Sequence, residues 1–282
     1  MPSPKLIVII GATGNQGGSV ANVFLREPGW KVRALTRNTL STKAQALAAR
    51  GAEIVQADIN TPATLSTAFE GANAIFAVSD YWGLFSDPAN KDKAQPGQPL
   101  NVWVAEHETQ QLKNIIDAAA QVPTLERFIL SSLSNATKWS KRNSNGVVQF
   151  IGHMEQDVKI PFIAAEEDSG PLVKALILQE PAGRNLIGYR EWLTTRELAT
   201  AFIRATGLDA EVITMPKGHF PPSISEEFKA QLQDNMGYWN EFGYEGRDDP
   251  TIVHPRHLGS PPSLDTVEDY LKKQDWTKVF GS

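Results

Sequence analysis

Short apolar runs alternate with amphipathic stretches through the first half of the chain, beginning with Leu6-Ile-Val-Ile-Ile10. Five aliphatic residues without polar alternation are too few for a helix and predict a parallel strand buried on both faces. Past a glycine segment, Ser19–Arg26 carries Val20, Val23, Phe24 and Leu25 as a helical stripe, closed by Pro28-Gly29. Further strands are predicted over Lys31–Thr36, Glu53–Gln56 and Ala74–Val78, with helices over Lys43–Arg50 and Pro62–Phe69 between them. A polar, proline-containing loop at Ser86–Leu100 precedes a long helix over Val104–Gln121 and a fifth strand over Arg127–Leu130. This alternation predicts an α/β fold, a Rossmann-type doubly wound parallel sheet.

There the alternation stops. Another parallel strand requires a crossover of a dozen or more residues, normally an amphipathic helix. Leu133–Asn145 is polar and has no apolar stripe. From Gly146 onward the pattern is mixed, with strands expected over Val147–Ile151, Ile160–Ile163, Asn185–Tyr189 and Glu211–Met215. Helices are expected over Gly170–Leu178, Ser225–Asn235 and Ser263–Gln274. Thr194–Gly207 is a helix with capping hydroxyls at its start, Glu197 in its first turn and a glycine stop. The division expected is a Rossmann domain over 1–145 and a smaller mixed α+β C-terminal domain over 146–282.

Composition then narrows the chemistry. With 282 residues, 41% hydrophobic and 21% charged, the chain has the make-up of a globular protein. It has no cysteine, which removes disulfides, Cys-based zinc sites and thiol nucleophiles. A formal charge of −5 argues against a nucleic-acid backbone or an anionic membrane as the main partner. No stretch approaches the roughly 18 apolar residues of a membrane span. The first apolar run is also too short for a signal peptide, so a cytoplasmic and/or nuclear location is expected. His254 and His257 flank Pro255 without a carboxylate-rich partner segment, and no metal site is expected. Trp192, Trp239 and Trp276 read as core residues.

The candidate site starts at Gly11-Ala-Thr13-Gly14-Asn15-Gln16-Gly17, a G-x-x-G-x-x-G turn between a buried strand and a helix. Glycines there allow a sharp turn, backbone approach to a diphosphate and close helix–strand packing. The helix N-terminus offers unpaired N–H groups and the positive end of its dipole to the anion. At the end of the second strand a carboxylate would select NAD, whereas arginine pairs a 2′-phosphate. This chain has Thr36-Arg37-Asn38, with Lys43 following and no carboxylate between, which predicts NADP(H). Asp58 and Ile59 follow the third strand at the adenine edge. Val78, Ser79 and Asp80 end the fourth strand beside the nicotinamide-side ribose, with Tyr81 and Trp82 as walls. Ser131 and Ser132 occupy the matching place on the fifth strand.

Several segments resemble NmrA-like family proteins, an atypical branch of the short-chain dehydrogenase/reductase superfamily. They are GATGNQGGSV, VRALTRN, GAEIVQADIN, Ser79-Asp-Tyr-Trp82, the helix His107–Asn114, Asp168-Ser-Gly-Pro-Leu-Val173 and Ser263–Tyr270. The resemblance covers nearly the whole chain apart from the region around 139–150. It implies a nicotinamide-dinucleotide-binding protein that works as a redox sensor through protein–protein contact. The founding fungal member acts on a GATA-type transcription factor in nitrogen metabolite repression. A transcription factor or other regulatory protein is thus the implied partner, and a homodimer is left open. True reductases of the isoflavone and quinone reductase kind are also relatives, so an NADPH-dependent reductase of a small carbonyl, quinone or enone is the alternative.

Catalysis by the usual dyad needs a tyrosine with a lysine one helical turn later. None of Tyr81, Tyr189, Tyr238, Tyr244 or Tyr270 has lysine four residues on. The His-x-x-x-Lys helix that the resemblance leads one to expect after Asn135 and Lys138 is absent as well. This coincides with the break in the strand–helix pattern. A block of several dozen residues is therefore expected to be missing between about Arg142 and Gly146, a genuine deletion being the alternative.

Overall fold

The computed structural model describes residues 3–131, 140–142, 147–216, 218–220, 226–245 and 250–276. Two compact units emerge, and they interleave along the chain. The first comprises Met1–Leu133, Ala165–Arg184 and Leu258–Pro262. A single cut at 145 would have placed its last two segments in the other unit.

In the first unit, β1 (Lys5–Ile9), β2 (Trp30–Thr36), β3 (Glu53–Gln56), β4 (Ala74–Val78) and β5 (Arg127–Ser131) form one parallel sheet, ordered β3-β2-β1-β4-β5. The helices between them are α1 (Asn15–Phe24), α2 (Thr42–Ala48), α3 (Pro62–Phe69), α4 (Tyr81–Ser86) and α5 (Leu100–Ala120). Why the first run lacks polar alternation is plain from its two faces. Ile7 and Ile9 join Val20, Phe24 and Phe76 on one side, while Val8 joins Leu65, Phe69, Ile75 and Ile115 on the other. Successive side chains point to opposite faces of a strand, so burying both faces demands an apolar residue at every position.

A late segment, α6 (Ala165–Leu178), completes the α1 side of the sheet through Val173 and Ile177. It begins earlier than its pattern suggests because Pro171 lies inside the helix and not in its first turn. Proline has no N–H, so the carbonyl of Glu167 loses its usual helical donor. The Ser19 hydroxyl supplies one, donating to the Glu167 carbonyl at 3.3 Å and accepting the Gly170 N–H at 2.9 Å. A Cβ on Gly170 would meet the Ser19 carbonyl oxygen at 2.5 Å, so only glycine permits this helix contact. The Asp168-Ser-Gly-Pro171 motif is thus a packing device between α6 and α1.

The second unit has a separate core of Val148, Phe202, Val267 and Leu271, with Phe150 and Trp276 against it. Its strands β6 (Ser140–Arg142), β7 (Val148–Gly152) and β11 (Ala210–Thr214) form one sheet in the order β11-β7-β6. Strand β8 (Lys159–Phe162) pairs antiparallel with β10 (Glu191–Thr194), and β9 (Asn185–Leu186) pairs with β12 (Ile252–Val253). The helices are α7 (Thr195–Thr206), α8 (Glu226–Phe242) and α9 (Val267–Lys272). The α7 start is a capping box, in which the Thr194 hydroxyl accepts the Glu197 N–H and the Glu197 carboxylate accepts the Thr194 N–H. Among the described residues, no helix is long and apolar enough to cross a membrane. Ser132, Asn135, Lys138 and the suspected junction at 143–146 lie outside the described residues.

Candidate functional site at the carboxyl ends of the first sheet

Strand order reverses between β1 and β4, and in an open parallel sheet the crevice outside the carboxyl ends at that point is where ligands bind. The residues singled out along the chain come from these ends. Gly11 follows β1, Thr36-Arg37-Asn38 ends β2, Asp58-Ile59 follows β3, Val78-Ser79-Asp80 ends β4 and Ser131 ends β5. Val78 and Ser131 are paired across the β4–β5 register.

The turn after β1 is built by its glycines. Gly11 has φ +72°, a left-handed conformation that disfavours any side chain, and a Cβ there would meet Val78 Cγ1 at 2.7 Å. A Cβ on Gly17 would lie 2.3 Å from the Gly11 carbonyl oxygen, in contact with backbone that cannot yield. The Gly14 N–H donates to the Gly11 carbonyl at 2.9 Å and closes the turn. Gly14 is also the N-cap of α1 and provides no side-chain cap. The first-turn N–H groups of Asn15, Gln16 and Gly17 therefore have no intrahelical acceptor. Three donors and the positive end of the helix dipole converge on one place suited to an anion.

Beyond β2, the Thr36 hydroxyl accepts the Asn38 N–H at 3.2 Å, and the Arg37 carbonyl accepts from Gln56 Nε2 at 3.3 Å. The backbone is thus held while the Arg37 side chain is exposed, as is Lys43 in the first turn of α2. The Asp58 carboxylate is engaged locally, accepting the Asn60 N–H at 2.9 Å and Asn60 Nδ2 at 3.0 Å. It therefore shapes the loop before α3, whose N-cap is Thr61. Asp80 caps α4 in a similar way, accepting the Gly83 N–H at 2.9 Å. The Tyr81 ring stacks with Phe85 and meets Trp82 edge-on, and its hydroxyl donates to the Asn101 carbonyl at 3.4 Å. Tyr81 and Trp82 thus belong to a short helix that the sequence pattern does not announce.

Two residues of the site had no role assigned from sequence. Gln111, buried within α5, donates from Nε2 to Asn60 Oδ1 at 2.9 Å. Asn114, one turn on, donates to the Ile59 carbonyl at 2.9 Å. The Asp58-Ile59-Asn60 loop is therefore clamped by α5 from behind. Spacing was the available signal, since Gln111 and Asn114 stand three apart and share one face of a helix.

In the second unit, a recess of about 290 Å³ is lined by Glu155, Asp157, Val158, Lys159, Trp239, Asn240 and Gly243. It contains none of the turn residues. Elsewhere in this unit the Tyr189 hydroxyl lies 3.2 Å from His254 Nδ1, and Glu245 lies 3.5 Å from His254 Nε2. Burial holds the Tyr189 phenol above its ordinary range. Trp192 packs edge-on against Tyr189 within this aromatic group, and Trp276 packs on the unit's core.

A five-stranded parallel sheet with a glycine turn at its switch point defines a Rossmann-type α/β domain. The NmrA-like family model matches residues 3–155, and the chain belongs to that family. An NmrA-like family domain-containing oxidoreductase of Aspergillus campestris is 50% identical over 319 aligned positions, covering 96% of this chain and 90% of that one. Since 96% of 282 residues is about 271, about 48 of those positions have no counterpart in this chain. A similarly described oxidoreductase of Aspergillus hancockii is 41% identical, but the match covers 48% of this chain and only 35% of that protein. The chain thus spans about a third of that relative's length.

Among solved structures, NmrA, a negative transcriptional regulator in complex with NAD, superposes with a TM-score of 0.67 at 18% identity. That match covers 99% of this chain and 95% of the other. A triphenylmethane reductase of Citrobacter sp. complexed with NADP(H) gives 0.66 at 15% identity, covering 95% and 99%. These likenesses establish the fold.

Proposed function

We propose that the β1–α1 turn binds the diphosphate of a nicotinamide dinucleotide, that the chain prefers NADP(H), and that it acts as a cofactor-responsive regulator. The observation that carries this reading is the turn itself, where Gly11 and Gly17 bring backbone against backbone and leave three amides open to an anion. Arg37 and Lys43 are the cations for a 2′-phosphate, since a guanidinium pairs phosphate through two parallel hydrogen bonds. The clamped Asp58-Ile59 loop receives the adenine edge, and Val78, Ser79, Asp80 and Ser131 flank the nicotinamide-side ribose. NmrA has been crystallised with NAD and with NADP, and the Citrobacter reductase with NADP(H), which supports a dinucleotide in a groove of this fold.

Regulation follows if a partner protein, such as a transcription factor, meets the bound and free forms with different affinity. The cofactor shifts that affinity only by its own preference for one form. A second reading is an NADPH-dependent reductase of a small carbonyl, quinone or enone. It is favoured by the 50% identical A. campestris relative, which is described as an oxidoreductase. The experiment is a fluorescence titration with all four nicotinamide dinucleotides beside an NADPH-consumption assay on a quinone and an enone. Saturable, NADP(H)-preferring binding without consumption supports the regulator, and sustained consumption supports the reductase. Failure to bind any of the four rejects both.

A further inference from the structure

We infer that this chain is an internally shortened NmrA-like protein, which lacks between β5 and β7 the block completing the second half of its nucleotide-binding sheet and so holds the cofactor without turning it over. The inference rests on the dinucleotide reading above. A doubly wound dinucleotide domain is built from two halves of three parallel strands, ordered 3-2-1-4-5-6. Among the described residues the first half is whole, as β3-β2-β1, and the second consists of β4 and β5 alone.

Strand β5 is accordingly the edge of the sheet among the described residues. Its middle, Phe128-Ile-Leu130, carries neither charge nor proline, and Leu130 is 39% exposed. Across the register, Ala77 of β4 is fully buried. Natural sheet edges are usually blunted by charge, proline or a covering element. An aliphatic edge of this kind has the composition of an interior strand. The sequence after β5 is also short for a crossover. Eight residues separate Ser131 from Ser140, where β6 starts and pairs antiparallel with β7 in another sheet. A parallel crossover takes a dozen or more.

The comparison supplies the missing length. About 48 aligned positions of the A. campestris relative have no counterpart here, although the two chains are 50% identical over the match. A helix of about 12 residues and a strand of about 5, with their connections, require about 30. Taken together, the unmatched positions are enough for one crossover helix and a sixth strand, and the end of the described sheet at β5 is where these would fit. That place beside β5 puts them on the nicotinamide side of the groove, whereas the glycine turn, Arg37 and Lys43 belong to the intact half. Binding groups remain, but the wall that would hold the reacting ring against a second substrate is gone. Loss of positioning on that scale costs about a hundredfold or more in rate.

The experiment compares this chain, the same chain with the A. campestris block grafted between β5 and β7, and the A. campestris protein with that block deleted. Hydrogen exchange is followed at β5, with NADPH binding and quinone-dependent NADPH consumption measured on each protein. The outward-facing β5 amides should exchange quickly in this chain and become protected in the grafted one. This chain and the deleted relative should bind NADPH while consuming it about a hundredfold more slowly than the intact relative. Consumption within tenfold of the intact relative, or β5 amides equally protected with and without the block, would overturn the inference. Should NADPH bind to none of them, the dinucleotide reading fails and the exchange pattern still decides whether the block covers β5. If the graft does not fold, the same comparison between the intact and the deleted relative decides the matter.

Discussion

Gly17 approaches the Gly11 carbonyl oxygen so closely that even a methyl group on it would stand 2.3 Å away. Six positions apart in sequence, the two residues set the path of the turn, and with it the direction in which the α1 amides point. The three atoms that methyl group would meet, the Gly11 carbonyl oxygen and carbon and the Ala12 nitrogen, all belong to the backbone, so relief can come only by moving the strand or the helix.

Gly17→Ala should therefore lose dinucleotide binding and destabilise the first unit together. Overpacking of this kind costs about 1–3 kcal/mol, and a clash with main chain belongs at the upper end. Thermal unfolding with and without NADPH is the check. A variant with unchanged stability and unchanged ligand protection would show that the close approach is not needed.

Arg37→Glu separates the two cofactors. A charge-assisted hydrogen bond to the 2′-phosphate is replaced by repulsion, and such bonds are worth about 1.5–3 kcal/mol. NADP(H) affinity should fall by tenfold or more, on the rule that about 1.4 kcal/mol is tenfold, while NAD(H) affinity changes little. Equal losses for both would remove Arg37 from the phosphate site.

Gln111→Ala tests the clamp from α5. The side chain is buried and its amide is tied to Asn60 Oδ1, so truncation removes that hydrogen bond, with Asn60 exposed to take up water in its place, at a cost of about 0.5–1.5 kcal/mol. Denaturant unfolding should show that loss. NADPH should bind more weakly with its preference over NADH intact, because the clamp shapes the adenine loop and not the phosphate contacts. A change in preference would contradict this division of roles.

How far these features could be read from the chain depends on how local they are. Strands β1 and β4 were legible because burial on both faces forces uninterrupted apolar runs, and the α7 capping box because Thr194 and Glu197 stand three apart. Helix α4 was not. Its six residues carry a glycine at position 83, too few for a 3.6-residue period, and its start depends on Asp80 turning back onto Gly83. Strand β10 was equally hidden because its existence depends on pairing with β8, about 30 residues earlier in the chain. Pro171 misleads in the opposite direction, since proline normally marks a helix start and here sits inside one, compensated by Ser19 from another helix. At the site, residue types predicted the turn and the cations, whereas the engagement of Asp58 by Asn60 and of Asn60 by Gln111 required the folded chain.

The α7 cap carries a pH dependence of known sign. A hydrogen bond from the Thr194 N–H, then the nearby Lys159 ammonium, hold the Glu197 carboxyl below the usual carboxylate range. A carboxyl lowered on folding contributes stability above its unfolded value and loses it as pH falls through its folded value. Glu197→Ala should consequently lower the melting temperature near neutral pH, with a penalty that shrinks as the solution is acidified through that range. A penalty constant with pH would mean that the charge on Glu197 plays no part in the cap.

Isothermal titration of the purified chain with NADP⁺ addresses the glycine turn most directly. One saturable site per chain, weakened by added pyrophosphate competing for the same amides, is the expected result. A flat titration at ligand concentrations that saturate the A. campestris relative would contradict the assignment of the β1–α1 turn as a dinucleotide site.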